Sequence, residues 1–304
     1  MIRWPWRRAV PLVLVALAGC SSANAPSGSP TPSGESQLEM LKVGFAPYFP
    51  TQGENRQQFQ PLADELGKAA GVPVELVLAD DWIGISEALR AGTLDVAMLG
   101  AWGYVLAHHN DPKLQAIATL KYKGKPTYHA LLLARADAPF HTLDEAIALS
   151  EKGPKLRLSL ADVGSTSGWL IPQAEFKRRT LDPKFVFQYH EGSLHAAQAI
   201  SLINGQADLA SDYDQNLDVL VSTGKLDRDK IKIIWTSDPL PNSVIAVRGG
   251  FPESAKSKLQ KWLADITPEE AEKLLPKGQT GFIPTDGSNY STIEAAGMLV
   301  GKLK

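Results

Sequence analysis

The sequence predicts an α/β protein of two lobes, each a mostly parallel sheet flanked by helices, with two chain crossings between them. Three observations carry this. From Leu41 onward, strand-like and helix-like segments alternate, the pattern of a sheet with helices on both faces. A helix end followed by Gly-x-x-Asp-apolar-Ala occurs twice, at Gly92, Asp95 and Ala97 and again at Gly205, Asp208 and Ala210. Two apolar strands each lead to a proline-bordered stretch, Asp137-Ala-Pro139 and Pro239-Leu-Pro241, suited to leave one lobe and return to it. On this reading residues 39–134 and 236–304 form the first lobe and residues 135–235 the second.

Residues 1–19 read as a leader. Arg3, Arg7 and Arg8 precede the apolar run Ala9 to Ala18, which closes on Leu17-Ala18-Gly19-Cys20. A charged start, a short apolar run and small residues at a cleavage point make a signal peptide, and the run is too short to span a bilayer. Leu-Ala-Gly-Cys resembles a bacterial lipobox, whose cysteine becomes the lipidated first residue of the mature chain. Cys20, the single cysteine, is therefore the expected lipidation site and membrane anchor. With no second cysteine, intrachain disulfides and cysteine metal clusters are excluded. Residues 20–38, mostly Ser, Pro, Gly and Ala, read as a flexible tether. The expected location is outside the cytoplasm, held at a membrane.

Loss of residues 1–19 removes three arginines and no acid, leaving 28 basic against 33 acidic side chains, a net charge near −5. An acidic balance argues against a nucleic-acid partner, which needs a basic face. If the ligand is an anion, local dipoles and donors must hold it.

Along the first lobe, Leu41 to Ala46 is a buried strand running into the aromatic loop Pro47-Tyr48-Phe49-Pro50. Phe59, Leu62, Ala63 and Leu66 place a helix over Gln58 to Ala70, stopped by Gly71. Val74 to Leu78, then Ile83 to Arg90, repeat the pair. Leu94 to Leu99 is a strand delivering Gly100-Ala-Trp102-Gly-Tyr104. In such sheets ligands sit past the carboxyl ends of strands, where Tyr48, Trp102 and Tyr104 fall. His129 to Arg135 is an apolar strand, with the first crossing after it. Ile231 to Trp235 leads to the second crossing, and Val244 to Val247 returns to the first sheet. Helices follow over Pro252 to Ala264 and Thr267 to Leu275, the latter opened by Thr267-Pro268-Glu269-Glu270. A lobe interrupted by another, with a cleft between, is an architecture that closes on a ligand.

The second lobe holds the densest chemistry. The alternating run Leu156 to Leu160 enters Gly164-Ser165-Thr166-Ser167-Gly168, and a helical run from Trp169 to Arg178 leaves it. The first turn of a helix has unpaired N–H groups and roughly half a positive charge, and three hydroxyls add neutral donors. The same residues equally suit an ordinary helix cap. His190, after the run Phe185 to Tyr189, is expected at another strand end, where its ring can donate to an oxyanion. Asp212, in Asp212-Tyr213-Asp214-Gln215-Asn216 at a third strand end, is placed to accept a proton from a monoprotonated oxyacid or to pair with a ligand amine. Helix capping is the alternative role for both Asp212 and Asp214.

These residues resemble a family: the substrate-binding proteins of phosphonate, phosphite and phosphate ABC importers. The resemblance covers about Leu41 to Glu253. It rests on Ser165-Thr166-Ser167-Gly168 with Pro172, on His190-Glu191, on Gly205-x-x-Asp208-x-Ala210 and on Ser237-Asp-Pro239-Leu-Pro241. It implies a two-lobed periplasmic-binding-protein fold of type II. The phosphorus oxyanion would then be held by the Ser165, Thr166, Ser167 turn and His190, with an aromatic from Tyr48, Trp102 and Tyr104 lining the pocket. It also implies the membrane subunits of an ABC transporter as partners, no cofactor or metal, and a monomer. Relatives that take aminoalkylphosphonates carry carboxylates at positions that fall here near Gln215 and Asn242-Ser243, and neither is acidic. That favours phosphite or a simple phosphonate such as methylphosphonate, with phosphate also eligible.

Two other function classes remain open on the sequence. A hydrolase is disfavoured because Gly164-Ser-Thr166-Ser-Gly168 puts threonine where Gly-x-Ser-x-Gly needs its nucleophile. His108, His109 and His195 lack the spacing of a zinc cluster. A two-lobed binder of a sulfonate or a vitamin precursor would share the architecture.

Overall fold

The computed structural model describes residues 38–193 and 195–304. The leader, Cys20 and the tether up to residue 37 lie outside the described residues. The chain opens with β1 (Leu41–Phe45), α1 (Gln52–Ala70), β2 (Val74–Leu78), α2 (Trp82–Arg90), β3 (Val96–Leu99), α3 (Ala101–Asn110) and β4 (Gln115–Tyr122). Helix α1 starts six residues before the apolar spacing begins, because Thr51 caps it by accepting from the Glu54 N–H at 3.1 Å. Its buried stripe contains Phe59, Leu62, Ala63 and Leu66, and Gly71 ends it in the left-handed conformation. Asp81 caps α2, accepting from the N–H groups of Ile83 and Gly84.

The middle of the chain gives β5 (Thr127–Tyr128), β6 (Ala130–Arg135), α4 (Leu143–Lys152), β7 (Arg157–Ala161), α5 (Ile171–Arg178), α6 (Pro183–Val186), β8 (Gln188–Ser193), α7 (His195–Ile203), β9 (Leu209–Tyr213), α8 (Asp214–Ser222) and β10 (Ile231–Thr236). The chain then returns through β11 (Leu240–Pro241), β12 (Val244–Val247), α9 (Glu253–Asp265), α10 (Pro268–Leu274), β13 (Gln279–Pro284) and α11 (Ser291–Leu299).

Two sheets result, six strands in the order β13-β4-β12-β3-β1-β2 and five in the order β10-β6-β9-β7-β8. Both are mixed. The pairs β1–β2, β1–β3, β7–β8 and β7–β9 are parallel, while β12, β13, β6 and β10 add antiparallel neighbours. Parallel pairs arise where a helix crosses back over the sheet; antiparallel ones enter with β6 and β12, where the chain arrives from the other body, and at the outer strands β10 and β13. Strand β6, expected to close the first lobe, lies in the five-stranded sheet between β10 and β9. The chain therefore changes sheet before His129, not after Arg135. The two connecting stretches meet as β5 and β11, with Tyr128 opposite Leu240 and Thr127 opposite Pro241.

The two Gly-x-x-Asp units do equivalent work. Gly92 and Gly205 both adopt positive φ, 72° and 66°. Asp95 then accepts from the Lys42 N–H at the start of β1 and from Arg248. Asp208 accepts from the Arg157 N–H at the start of β7 and from the Arg157 guanidinium. Each aspartate thus ties adjacent strand starts together. The largest apolar core is continuous between the two bodies, joining Trp102, Tyr290 and Ile293 to Leu170, Ile171 and Phe176.

Candidate functional site

Strand β7 ends at Ala161, and the chain turns through Asp162 to Ser165 into a π-helical turn, Thr166–Leu170, that continues as α5. The Ser165 hydroxyl accepts the Gly168 N–H at 3.1 Å, and the Leu170 N–H reaches the Ser165 carbonyl. A π-turn widens the helix start and is a common local distortion at functional sites. Ser165, Thr166 and Ser167 are all buried, with 3–5% of their surface exposed. Across from them, the first turn of α3 sends the Trp102 N–H to the Thr166 hydroxyl at 2.9 Å, tying one sheet body to the other. Trp82 packs against this corner so closely that a side chain at Gly164 would come within 2.7 Å of its Cβ. Glycine is required there by proximity rather than by backbone angle.

These groups enclose a cavity of about 60 Å³, room for a few waters or one small tetrahedral anion. Its walls are Ser165, Thr166, Ser167, Tyr213 and Gln215 on one side and Tyr48, Trp82, Gly100, Asn242, Ser243 and Gln279 on the other, with Leu120 and Tyr128 between. None carries a formal charge at neutral pH. Four helix starts reach the wall, at Trp82, Gly100, Thr166 and Gln215. Asp81 already offsets the start of α2, and Asp214 that of α8. Gly100 provides no side-chain cap for α3, and the π-turn has no acid in its first turn. The positive ends of those two therefore point at the cavity with least compensation.

The aromatic wall is polar at its tips. Tyr48 donates to the Ser243 hydroxyl at 3.0 Å and stands edge-on to Trp82 at 4.8 Å. Burial raises its phenol well above the ordinary value. The Tyr128 phenol is pushed up to about 12 by burial, against the pull of its hydrogen bonds with Ser167 and Thr166. Tyr213 stands edge-on to Tyr128 at 5.7 Å, and burial, reinforced by Asp212, raises its phenol too. All three remain neutral hydroxyls across the physiological range. Asn242 donates to the Gln215 carbonyl at 3.4 Å, and its own carbonyl oxygens accept from Ser243 N–H and Tyr290.

The residues expected at the site separate into four groups. Ser165, Thr166, Ser167 and Tyr48 line the cavity together. Trp102 and Tyr104 do not. Helix α3 presents its backbone to the cavity while its rings turn inward, Trp102 against Gly297 and Tyr104 edge-on to Tyr290 at 5.3 Å and stacked on His108. Asp212 lies beneath the wall, fully buried, accepting from the Tyr213 N–H at 2.8 Å and from Asn216 at 2.9 Å. Burial pushes its carboxyl up to about 7, with those hydrogen bonds pulling it back and Asp214 adding a smaller push.

His190 is the clearest correction. The short helix α6 occupies Pro183–Val186, so the following strand starts later and His190 falls inside it, opposite Ser159. Successive strand side chains point to opposite faces. Glu191 takes the inward face, accepting the Trp169 indole N–H at 2.6 Å, and His190 takes the exposed one. There it lines a separate surface depression with Arg157, Gln188 and Gln206. The side chain of His195 lies outside the described residues. Sequence reasoning missed Trp82, Tyr128, Tyr213 and Gln279 as wall residues. Trp82 follows the carboxyl end of β2, so the strand-end rule that found Tyr48 would have found it as well.

Residues 43–290 match the family described as the periplasmic substrate-binding protein of the phosphonate ABC transporter. The chain belongs to this family. Its members are substrate-binding proteins rather than enzymes, and their periplasmic location puts this chain outside the cytoplasm. It is 26% identical over 250 residues to the phosphonates-binding periplasmic protein of Escherichia coli K12, covering 82% of this chain and 73% of that one. It is 27% identical over 266 residues to the phosphate-import protein PhnD of Mycolicibacterium smegmatis, covering 83% and 78%. Among solved structures, PhnD1 of Prochlorococcus marinus in complex with methylphosphonate superposes with a TM-score of 0.76 at 19% identity, covering 87% of this chain and 99% of that one. That likeness establishes the fold as the two-lobed periplasmic-binding-protein type.

Proposed function

We propose that the cavity between the two sheets captures a small phosphorus oxyanion, namely phosphite, a simple phosphonate such as methylphosphonate, or phosphate. The observation that carries this is the chemistry of the wall: buried hydroxyls, amides and two helix starts that lack an acidic cap, with no charged side chain among the described residues. Such a wall offers donors to an oxyanion and supplies no carboxylate to meet a ligand amine. Its small volume suits a ligand without a long substituent. Ser165, Thr166 and Ser167 bind the oxygens, and Tyr48 and Tyr128 cover the ligand from the sides. The loaded protein delivers its ligand to the membrane subunits of an ABC importer while anchored as a monomer through a lipid on Cys20. Calorimetric titration of residues 38–304 with phosphite, methylphosphonate and phosphate tests the reading. At least one is expected to bind with a Kd below about 1 mM, roughly −4 kcal/mol. Failure of all three, or tighter binding of sulfonates, would remove it.

A further inference from the structure

The wall contains one acceptor that the oxyanion reading leaves unexplained. Gln279, at the start of β13, lines the cavity from the six-stranded sheet, facing the side that carries the Ser-Thr-Ser turn. Its side-chain oxygen is buried and has no hydrogen-bond partner among the described residues. A buried carbonyl left in that condition is destabilising unless a ligand supplies the missing donor. The residue is also held firmly. Its N–H donates to the Pro276 carbonyl at 3.0 Å, and it sits opposite Tyr122 on β4. The preceding Gly278 has φ 88°, with the Tyr122 ring packed where any side chain would stand and its carbonyl accepting the Lys123 N–H. Gln279 is thus held at the cavity wall by a fixed backbone.

An acceptor among donors is useless to a fully ionised oxyanion, whose oxygens only accept. It is well matched to an oxyanion that keeps one proton. We infer that Gln279 accepts a hydrogen bond from a P–OH of the bound ligand, and so makes the cavity selective for singly protonated phosphorus oxyanions over sulfur oxyanions of the same shape. This rests on the phosphorus-oxyanion reading given above. It also relocates a role that the sequence suggested for Asp212, which lies behind the wall and not at it. A neutral amide fits that role better than a carboxylate, because it accepts the proton without repelling the anion.

Methylphosphonate and methanesulfonate provide the test. They share a shape, and at mildly acidic pH each carries a single charge, but only the phosphonate retains a hydroxyl. Calorimetry of the wild-type protein is expected to show tighter binding of methylphosphonate. In Gln279→Leu the ratio of the two affinities should shrink by about tenfold or more, the size of one hydrogen bond to a charged ligand. The shrinkage should come from loss of methylphosphonate binding, with methanesulfonate unchanged. Gln279→Met, which keeps the chain length, should behave alike, and the methanesulfonate titration reports whether either variant retains its fold. An unchanged ratio in both variants overturns the role of Gln279 while leaving the oxyanion reading intact. Wild-type protein that binds neither ligand overturns the role of Gln279, and overturns the oxyanion reading as well if phosphite and phosphate also fail to bind.

Discussion

The two ends of β9 carry aspartates of opposite character. Asp208, just before the strand, is gripped by the Arg157 guanidinium through Nε at 3.0 Å and Nη2 at 2.8 Å, and also accepts the Arg157 N–H. Burial pushes its carboxyl up, but the hydrogen bonds and charge of Arg157 outweigh this and hold it below the usual range. Asp212, near the other end, is fully buried with two neutral donors at one oxygen, and burial carries it up to about 7. The same division holds in the six-stranded sheet. Asp95 and Arg248 pair at the strand starts, while the opposite ends carry Tyr48, Gly100 and Ser243. Ion pairs join strands at one end, and the side chains that line the cavity at the other are uncharged. An acidic protein can thus present an anion with a wall free of its own carboxylates.

Asp212 gives the largest expected effect. Its folded value lies above the unfolded one, so the folded state keeps a proton that the unfolded chain has released. Stability is therefore greatest below the unfolded value of 3.8 and falls as pH rises toward about 7. The linkage is worth on the order of 1.4 kcal/mol per pH unit in that window, or about 4 kcal/mol across it. Urea unfolding of wild type and Asp212→Asn across this range should show the wild type alone losing stability. Parallel pH profiles would mean that Asp212 is better solvated than its burial implies.

Next in size is the scaffold end. Asp208→Ala strands Arg157 and the β7 N–H together, and should lower unfolding stability by about 2 kcal/mol, since the pair is part-exposed. Ligand affinity should change little, since Asp208 is absent from the cavity wall. A comparable loss of affinity without loss of stability would erase the distinction between the two ends. Ser167→Ala should do the reverse, costing about 1.5–3 kcal/mol of binding for a hydrogen bond to a charged ligand, with a melting temperature close to wild type. The smallest effect belongs to His190→Ala. With its side chain on the exposed face of β8, binding should stay within about 0.5 kcal/mol of wild type. A tenfold drop in affinity would return His190 to the site.

The parts legible in the sequence were those whose meaning is local. The Ser165-Thr166-Ser167 turn declared itself through a strand, a glycine and hydroxyls in adjacent positions, and the Gly-x-x-Asp units through the left-handed glycine each requires. The aromatic residues were harder. Trp102 and Tyr104 sit just past β3 as expected, but the phase of α3 is set by α11, nearly two hundred residues later, whose Gly297 receives the Trp102 ring. Gln279 gave no signal, since its place at the wall depends on β13 pairing with β4. The sheet assignment of β6 failed for a similar reason. A strand beside a crossing reads the same on either side of it, and only pairing with β9 and β10 decides.

If a neutral wall selects the ligand, a charged competitor should be rejected. Methylphosphonate and 2-aminoethylphosphonate present the same oxyanion, but the second adds an ammonium group that no carboxylate at this wall can meet. Calorimetry should find methylphosphonate bound at least about tenfold more tightly, roughly 1.4 kcal/mol. Tighter binding of 2-aminoethylphosphonate would contradict the account, because an acidic partner for its amine would then have to reach the cavity.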